Sequence, residues 1–353
     1  MGRTLHRIFN EGAGELRFKI GGLYALVIAG NVAAWLWALT AFRDYPILLG
    51  TALLAYGLGL RHAVDADHIA SIDNVTRKLM QDGKRPAAVG FFFSLGHSTI
   101  VVLASLAIAV TATAFKAQFS AMRDIGGFIG TLTSAAFLLA IALMNLAILV
   151  TIFRTFQRVK AGAPYVAEDL DMLLAGRGFL ARLLRPLFRM IRSSWQMYPL
   201  GFLFGLGFDT ATEVGLLGIS ATQSAHGMML WSIMVFPALF AAGMALVDTT
   251  DSILMLGAYG WAFLKPLRKL YYNMSITFVS VVVAFLIGGV EALGLIGAKF
   301  ELHGPFWQSV GTLNGSFGTL GYLIIAIFVF SWIGSAAIYR LLGYDRIEIS
   351  RSR

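Results

Sequence analysis

The chain has 353 residues, 58% of them hydrophobic and only 13% charged, and its mean hydropathy is +0.74. Soluble domains are about half apolar and a quarter charged, so this composition predicts an all-α, polytopic membrane protein. The net charge of +9 invites a nucleic-acid partner, but the placement of the basic residues argues against one. Cysteine is absent, which excludes disulfides, thiolate metal sites and thiol catalysis. No G-x-x-x-x-G-K-[ST] segment marks an ATPase.

Eight apolar runs follow one another: 21–41, 46–70, 88–114, 126–152, 198–220, 228–258, 272–297 and 315–341. A helix crosses the hydrocarbon layer in about 20 residues, so each run is long enough to be a transmembrane helix. The first run is also too long for the apolar part of a cleaved signal peptide. Of the 28 Lys and Arg residues, 23 fall in alternate segments: the N-terminus, the loops after spans two, four and six, and the C-terminus. That alternation predicts both termini in the cytoplasm and a multi-pass protein of the cytoplasmic (inner) membrane, and it explains the basic charge without nucleic acid. The expected organisation is one membrane transport domain, 1–353. It has an N-terminal half at 1–153 (spans 1–4), a basic cytoplasmic loop at 154–197 and a C-terminal half at 198–353 (spans 5–8).

In that loop Leu173, Leu174, Leu180, Leu183, Leu184 and Leu187 recur at helical spacing with arginines between them. This reads as a basic amphipathic helix, lying on the inner leaflet or docked on the bundle, and broken near Pro186. A weak internal repeat is also visible. "YGLGLRHAVDADHI" (56–69) resembles "FGLGFDTATEVGLL" (204–217), placing Gly57 and Gly59 on Gly205 and Gly207 and Asp65 on Glu213. Each copy is followed by a second polar motif, "SLGHST" (94–99) or "AAGMALVDTTD" (241–251). A shift of three spans reverses direction through the bilayer, so helices 2–4 and 5–7 are expected to form an inverted repeat, as in many secondary transporters.

The spans carry His62, Asp65, Asp67, His68, His97, Asp209, Glu213, Asp248 and Asp251, with Asp73 near the inner end of its span. One ionisable group at mid-membrane costs about 2.5–3.5 kcal/mol on the insertion scale, so nine must be paired, hydrated or bound to something. Imidazole and carboxylate without sulfur suit Zn, Ni or Co and, less well, Mn or Fe(II). His62, Asp65 and His68 fan over about 120° of a regular helix and rise about 9 Å, too far for one ion to meet all three. Asp67 points away from Asp65. If His62, Asp67 and His68 all bind, the helix must unwind here, and Gly57 and Gly59 upstream make that feasible. His97 from the third span is a further ligand or a packed bundle residue. Asp209, Glu213, Asp248 and Asp251 read as partners of Arg61, proton carriers or acceptors behind the ligands. Asn31 is either a hydrogen bond between helices or an oxygen near the site.

At these residues the chain resembles the NiCoT family of nickel/cobalt permeases. The hallmark H-x4-D-H falls on His62, Asp67 and His68 in "RHAVDADHI". Further signatures match "LGHSTIVV" (95–102), "LGFDTATE" (206–213) and "GMALVDTTD" (243–251). The resemblance implies high-affinity uptake of Ni²⁺, sometimes Co²⁺, as a transported substrate rather than a cofactor. It implies essential roles for His62, Asp67 and His68 and supporting roles for Asp65, Asp73, His97, Asp209, Glu213, Asp248 and Asp251. Val64 resembles the nickel-preferring branch. The expected partners are the metal ion and the lipid bilayer, with no ATPase. Two other classes stay open on the residues alone: an intramembrane metal-dependent hydrolase, and an efflux protein or channel. The first lacks the i, i+4 histidine pair and adjacent base of H-E-x-x-H.

Overall fold

The computed structural model describes residues 16–111, 116–160, 191–206, 211–262 and 266–341. All regular structure among them is helical: α1 (Leu16–Ala41), α2 (Pro46–His62), α3 (Ala66–Gln81), α4 (Val89–Thr111), α5 (Lys116–Lys160), α6 (Met197–Phe204), α7 (Ala211–Ala225), α8 (Leu230–Ile233), α9 (Val235–Ala262), α10 (Pro266–Lys299), α11 (Pro305–Asn314) and α12 (Phe317–Leu341). Proline opens α2 and α11, where its missing N–H removes no helical bond. Ahead of α6, Ser193 and Gln196 form a reciprocal capping box, which starts a helix by satisfying two orphan amides.

Five helical stretches are long and apolar enough to cross a membrane: Leu16–Ala41, Val89–Val110, Phe128–Arg154, Leu230–Ala258 and Thr277–Lys299. Two bent pairs, α2–α3 at 51° and α11–α12 at 77°, raise the number to seven if each is one span. Run 198–220 corresponds to α6 and α7, and residues 207–210 between them lie outside the described residues. So does most of the expected amphipathic helix, across 161–190. Large apolar side chains such as Ile47, Leu53, Leu254, Leu286 and Phe330 are exposed on the helices, a surface suited to lipid and not to water.

The second apolar run does not form one helix ending at residue 70. It breaks after His62 and resumes at Ala66, and the second piece runs on to Gln81, carrying Arg77 and Lys78 into buried positions. Those two basic residues therefore belong to a helix end and not to a loop. Lys78 Nζ and Lys84 Nζ donate to the carbonyls of Ile191 and Arg192, fastening the chain that enters α6 to the end of α3.

Four helix pairs make the most extensive contacts: α5 with α10, α4 with α6, α9 with α2 and α9 with α4. Two of them, α2 with α9 and α4 with α6, are crossings with a glycine on each helix. A Cβ on Gly59 of α2 would stand 2.1 Å from the Phe240 carbonyl oxygen of α9, and one on Gly243 of α9 2.8 Å from that of Tyr56. Where α4 meets α6, a Cβ on Gly96 would stand 2.0 Å from the Tyr198 oxygen, and one on Gly201 2.1 Å from that of Phe93. Only a residue without Cβ lets backbones approach this closely. Gly59 thus serves the crossing with α9 and lies within α2; the unwinding falls further on, at residues 63–65.

Candidate metal centre

The break in the second span creates the site. His62 is the last residue of α2 and His68 lies in the first turn of α3, so the 51° bend brings together two rings that a straight helix would separate. The His62 and His68 ring centroids are 4.7 Å apart. His97 enters from α4, with its ring 4.7 Å from that of His62 and 4.9 Å from that of His68. One nitrogen from each ring lies within 4.8 Å of the other two. All three histidines are buried, His68 completely.

The surrounding acids fix ring orientation. His62 Nδ1 is 3.0 Å from Asp65 Oδ2 and 3.1 Å from Thr212 Oγ1. His68 Nδ1 is 3.3 Å from both oxygens of Asp248 in α9. A carboxylate at Nδ1 holds the proton there and leaves the Nε2 lone pair for an ion, the arrangement found behind most metal-binding histidines. His68 Nε2 is buried and has no hydrogen-bond partner. His62 Nε2 and His97 Nε2 are 2.9 Å apart, and the latter is also 2.9 Å from Glu213 Oε1 in α7. His97 Nδ1 is buried without a partner. Five helices therefore converge on one point, with imidazoles innermost and Asp65, Asp248 and Glu213 against them.

Asp65 occupies the N-cap position of α3, with its carboxylate turned to His62 Nδ1 and to Arg61 and not to the helix amides. Asp67, half-buried in the first turn of α3, acts electrostatically on both His62 and His68 but is not in the histidine triad. Asp73 is buried two turns along α3 and accepts from Ser280 of α10 at 2.7 Å. One turn from Asp248, Asp251 holds a buried carboxylate oxygen with no hydrogen-bond partner. Asn31 donates to the Ala242 carbonyl of α9 and accepts from the Tyr56 hydroxyl, which joins three helices. Asp209 lies outside the described residues. Thr212 was not singled out from the sequence; nothing but its place beside Glu213 distinguishes its hydroxyl from any other.

Comparison with known proteins bears on this arrangement. The family model "High-affinity nickel-transport protein" matches residues 48–338. The chain belongs to that family. It is 63% identical over 336 residues to a high-affinity nickel transport protein of Cupriavidus necator, covering 95% of this chain and 96% of the relative. It is 44% identical to a nickel transporter of Staphylococcus aureus, covering 93% and 96%. It is 39% identical to a cobalt transport protein of Rhodococcus rhodochrous, covering 82% of each. No solved structure matches. The family is one of transporters and not of enzymes, and nickel is its cargo and not a resident cofactor.

Proposed function

We propose that this protein takes up Ni²⁺, and Co²⁺ as a second substrate, across the cytoplasmic membrane, binding the dehydrated ion between His62, His68 and His97. The observation that carries this reading is the buried triad of imidazoles, two of which, His62 and His68, have their Nδ1 atoms held by carboxylates. Three imidazole nitrogens with carboxylates beside them are a nitrogen–oxygen donor set, which suits Ni²⁺ and Co²⁺. Asp65, Asp67, Glu213 and Asp248 supply the compensating charge. Asp73, Asp209 and Asp251 carry the ion or a proton along its path, Arg61 holds Asp65, and Asn31 fixes the helix beside it. The cobalt transport protein among the relatives supports the second substrate.

Burial of the triad supports alternating access, since an ion reaches a closed centre only when helices move. Eight spans with both termini in the cytoplasm accommodate the two inverted halves, helices 2–4 and 5–7. The glycine crossings support that repeat. Gly59 meets Phe240 as Gly201 meets Phe93, and Gly243 meets Tyr56 as Gly96 meets Tyr198. Each crossing joins the first helix of one half to the second helix of the other, and exchanging the halves turns one crossing into the other. In this register Gly59 corresponds to Gly201, and not to Gly207 as the alignment of the two Gly-Leu-Gly segments has it. Driving force comes without ATP: a double charge moving inward gains about 4.6 kcal/mol per 100 mV, a concentration ratio above about a thousandfold.

Accumulation of radioactive Ni²⁺ by intact cells tests the proposal. Wild-type cells should concentrate the ion in a voltage-dependent way, and His62→Ala cells should not. Equal accumulation by both, or net export by the wild type, rejects it.

A further inference from the structure

The linker between the two halves of the second span rests on a helix that carries none of the four motifs. Val64 is the middle residue of Ala63–Val64–Asp65. The amides of Val64 and Asp65 turn back onto the carbonyls of Arg61 and His62 at 3.1 and 2.9 Å, and the Ile69 amide takes the Asp65 carbonyl at 3.2 Å. The Val64 carbonyl lies against Gly321 of α12: a Cβ built on Gly321 would stand 1.5 Å from this oxygen and 3.4 Å from the Asp65 carbonyl carbon. It is the closest of the glycine contacts among the described residues. Because the oxygen occupies the direction of the missing side chain, a Cα–H of Gly321 points at it, a weak hydrogen bond of the kind found where helices touch. Around this point Leu320, Ile324 and Phe328 of α12 pack with Val64, Ala66, Ile69 and Ala70.

We infer that Gly321 is a positioning residue of the metal centre: by seating the Val64 carbonyl it holds the α2–α3 break at the bend that places His62 beside His68. This rests on the reading of the histidine triad as the ion site. His62 and His68 lie two and four residues from Val64, so a displaced Val64 moves both. An ordinary C···O approach is about 3.3 Å, so a methyl group at position 321 must drive the backbone oxygen away by roughly 1–2 Å. Metal sites tolerate ligand displacements of about 0.2 Å. No side-chain rotation relieves the clash, because both the seat and the obstacle are backbone.

The test uses the full-length protein in detergent, titrated with Co²⁺ and Ni²⁺ and followed by the visible d–d bands and by calorimetry, with uptake kinetics in cells alongside. Gly321→Ala is expected to weaken binding by at least about tenfold, the scale on which supports behind metal ligands act. It should also change the cobalt band pattern and raise KM more than it lowers the maximal rate. Gly334→Ala, on the same helix with nothing within 4 Å of its added carbon, should match the wild type in all three. Wild-type affinity and bands in Gly321→Ala overturn the proposal. Weaker binding with wild-type bands also overturns it, by assigning Gly321 to general packing. If Gly321→Ala yields no folded protein, Leu320→Ala loosens the same seat; weaker binding and shifted bands there uphold the proposal, and an unchanged spectrum overturns it. Failure of the wild-type protein to bind either ion removes the metal-centre reading, and this inference with it.

Discussion

Two buried polar regions of this molecule look alike in composition and behave differently. At the centre, His62, His68 and His97 meet Asp65, Glu213 and Asp248, all buried. Away from it, Glu291 of α10 is buried against α5, where the Ser134 hydroxyl lies 2.8 and 2.7 Å from its two carboxylate oxygens. Both oxygens of that peripheral carboxylate have a hydrogen-bond donor within reach, which offsets part of the cost of burying it. The central group differs. After every carboxylate has taken its histidine, His68 Nε2 and His97 Nδ1 still lack partners. The difference is that the centre keeps buried ring nitrogens without partners, and these are atoms able to ligate an ion.

That contrast is broken most severely at the triad. His68→Ala and His97→Ala each remove a ring nitrogen from the centre. Each is expected to lower Ni²⁺ affinity by more than about 100-fold, beyond the effect of losing a support behind a ligand, with the helical circular dichroism spectrum unchanged. Calorimetric titration of the purified variants reads the affinity, and near wild-type binding by either would remove that residue from the ion site. A step smaller is Asp248→Asn. The amide keeps the shape but gives up the charge that holds the proton on His68 Nδ1, so binding should weaken by about 10–100-fold while ligand geometry persists. A loss as large as that of His68→Ala would instead make Asp248 a direct ligand.

Much of this was legible in the sequence, for identifiable physical reasons. Long apolar runs announce helices in lipid whatever their tertiary setting, and the run of His62, Asp65, Asp67 and His68 is too costly in hydrocarbon to lack a purpose. The need for the helix to unwind followed from its 3.6-residue period, and the break lies at residues 63–65. Its cause was less legible. Gly59 looked like the weak point because glycine lowers helix propensity, yet it serves a crossing with Phe240 that depends on a helix 181 residues further along the chain. The continuation of α3 to Gln81 was hidden because Arg77 and Lys78 read as a loop, although the fold buries both. Thr212, Ser280 and Gly321 carry no chemical signal of their own; only long-range packing gives each its place.

Glu291 offers the mildest and most discriminating perturbation. Among the described residues its carboxylate is tied to Ser134 on the neighbouring helix, and α5 and α10 form the most extensive helix pair of the fold. Glu291→Gln keeps the volume and one carbonyl oxygen to accept from Ser134, so the cost should be confined to one weakened hydrogen bond, about 1 kcal/mol. The thermal midpoint in detergent should fall by a few degrees, while Ni²⁺ affinity and initial uptake rate stay at the wild-type level. A drop in uptake at unchanged stability would erase the distinction between the two regions. It would mean that the pair on the outer helices takes part in transport, with a carboxylate whose charge, and not only its hydrogen bond, is used.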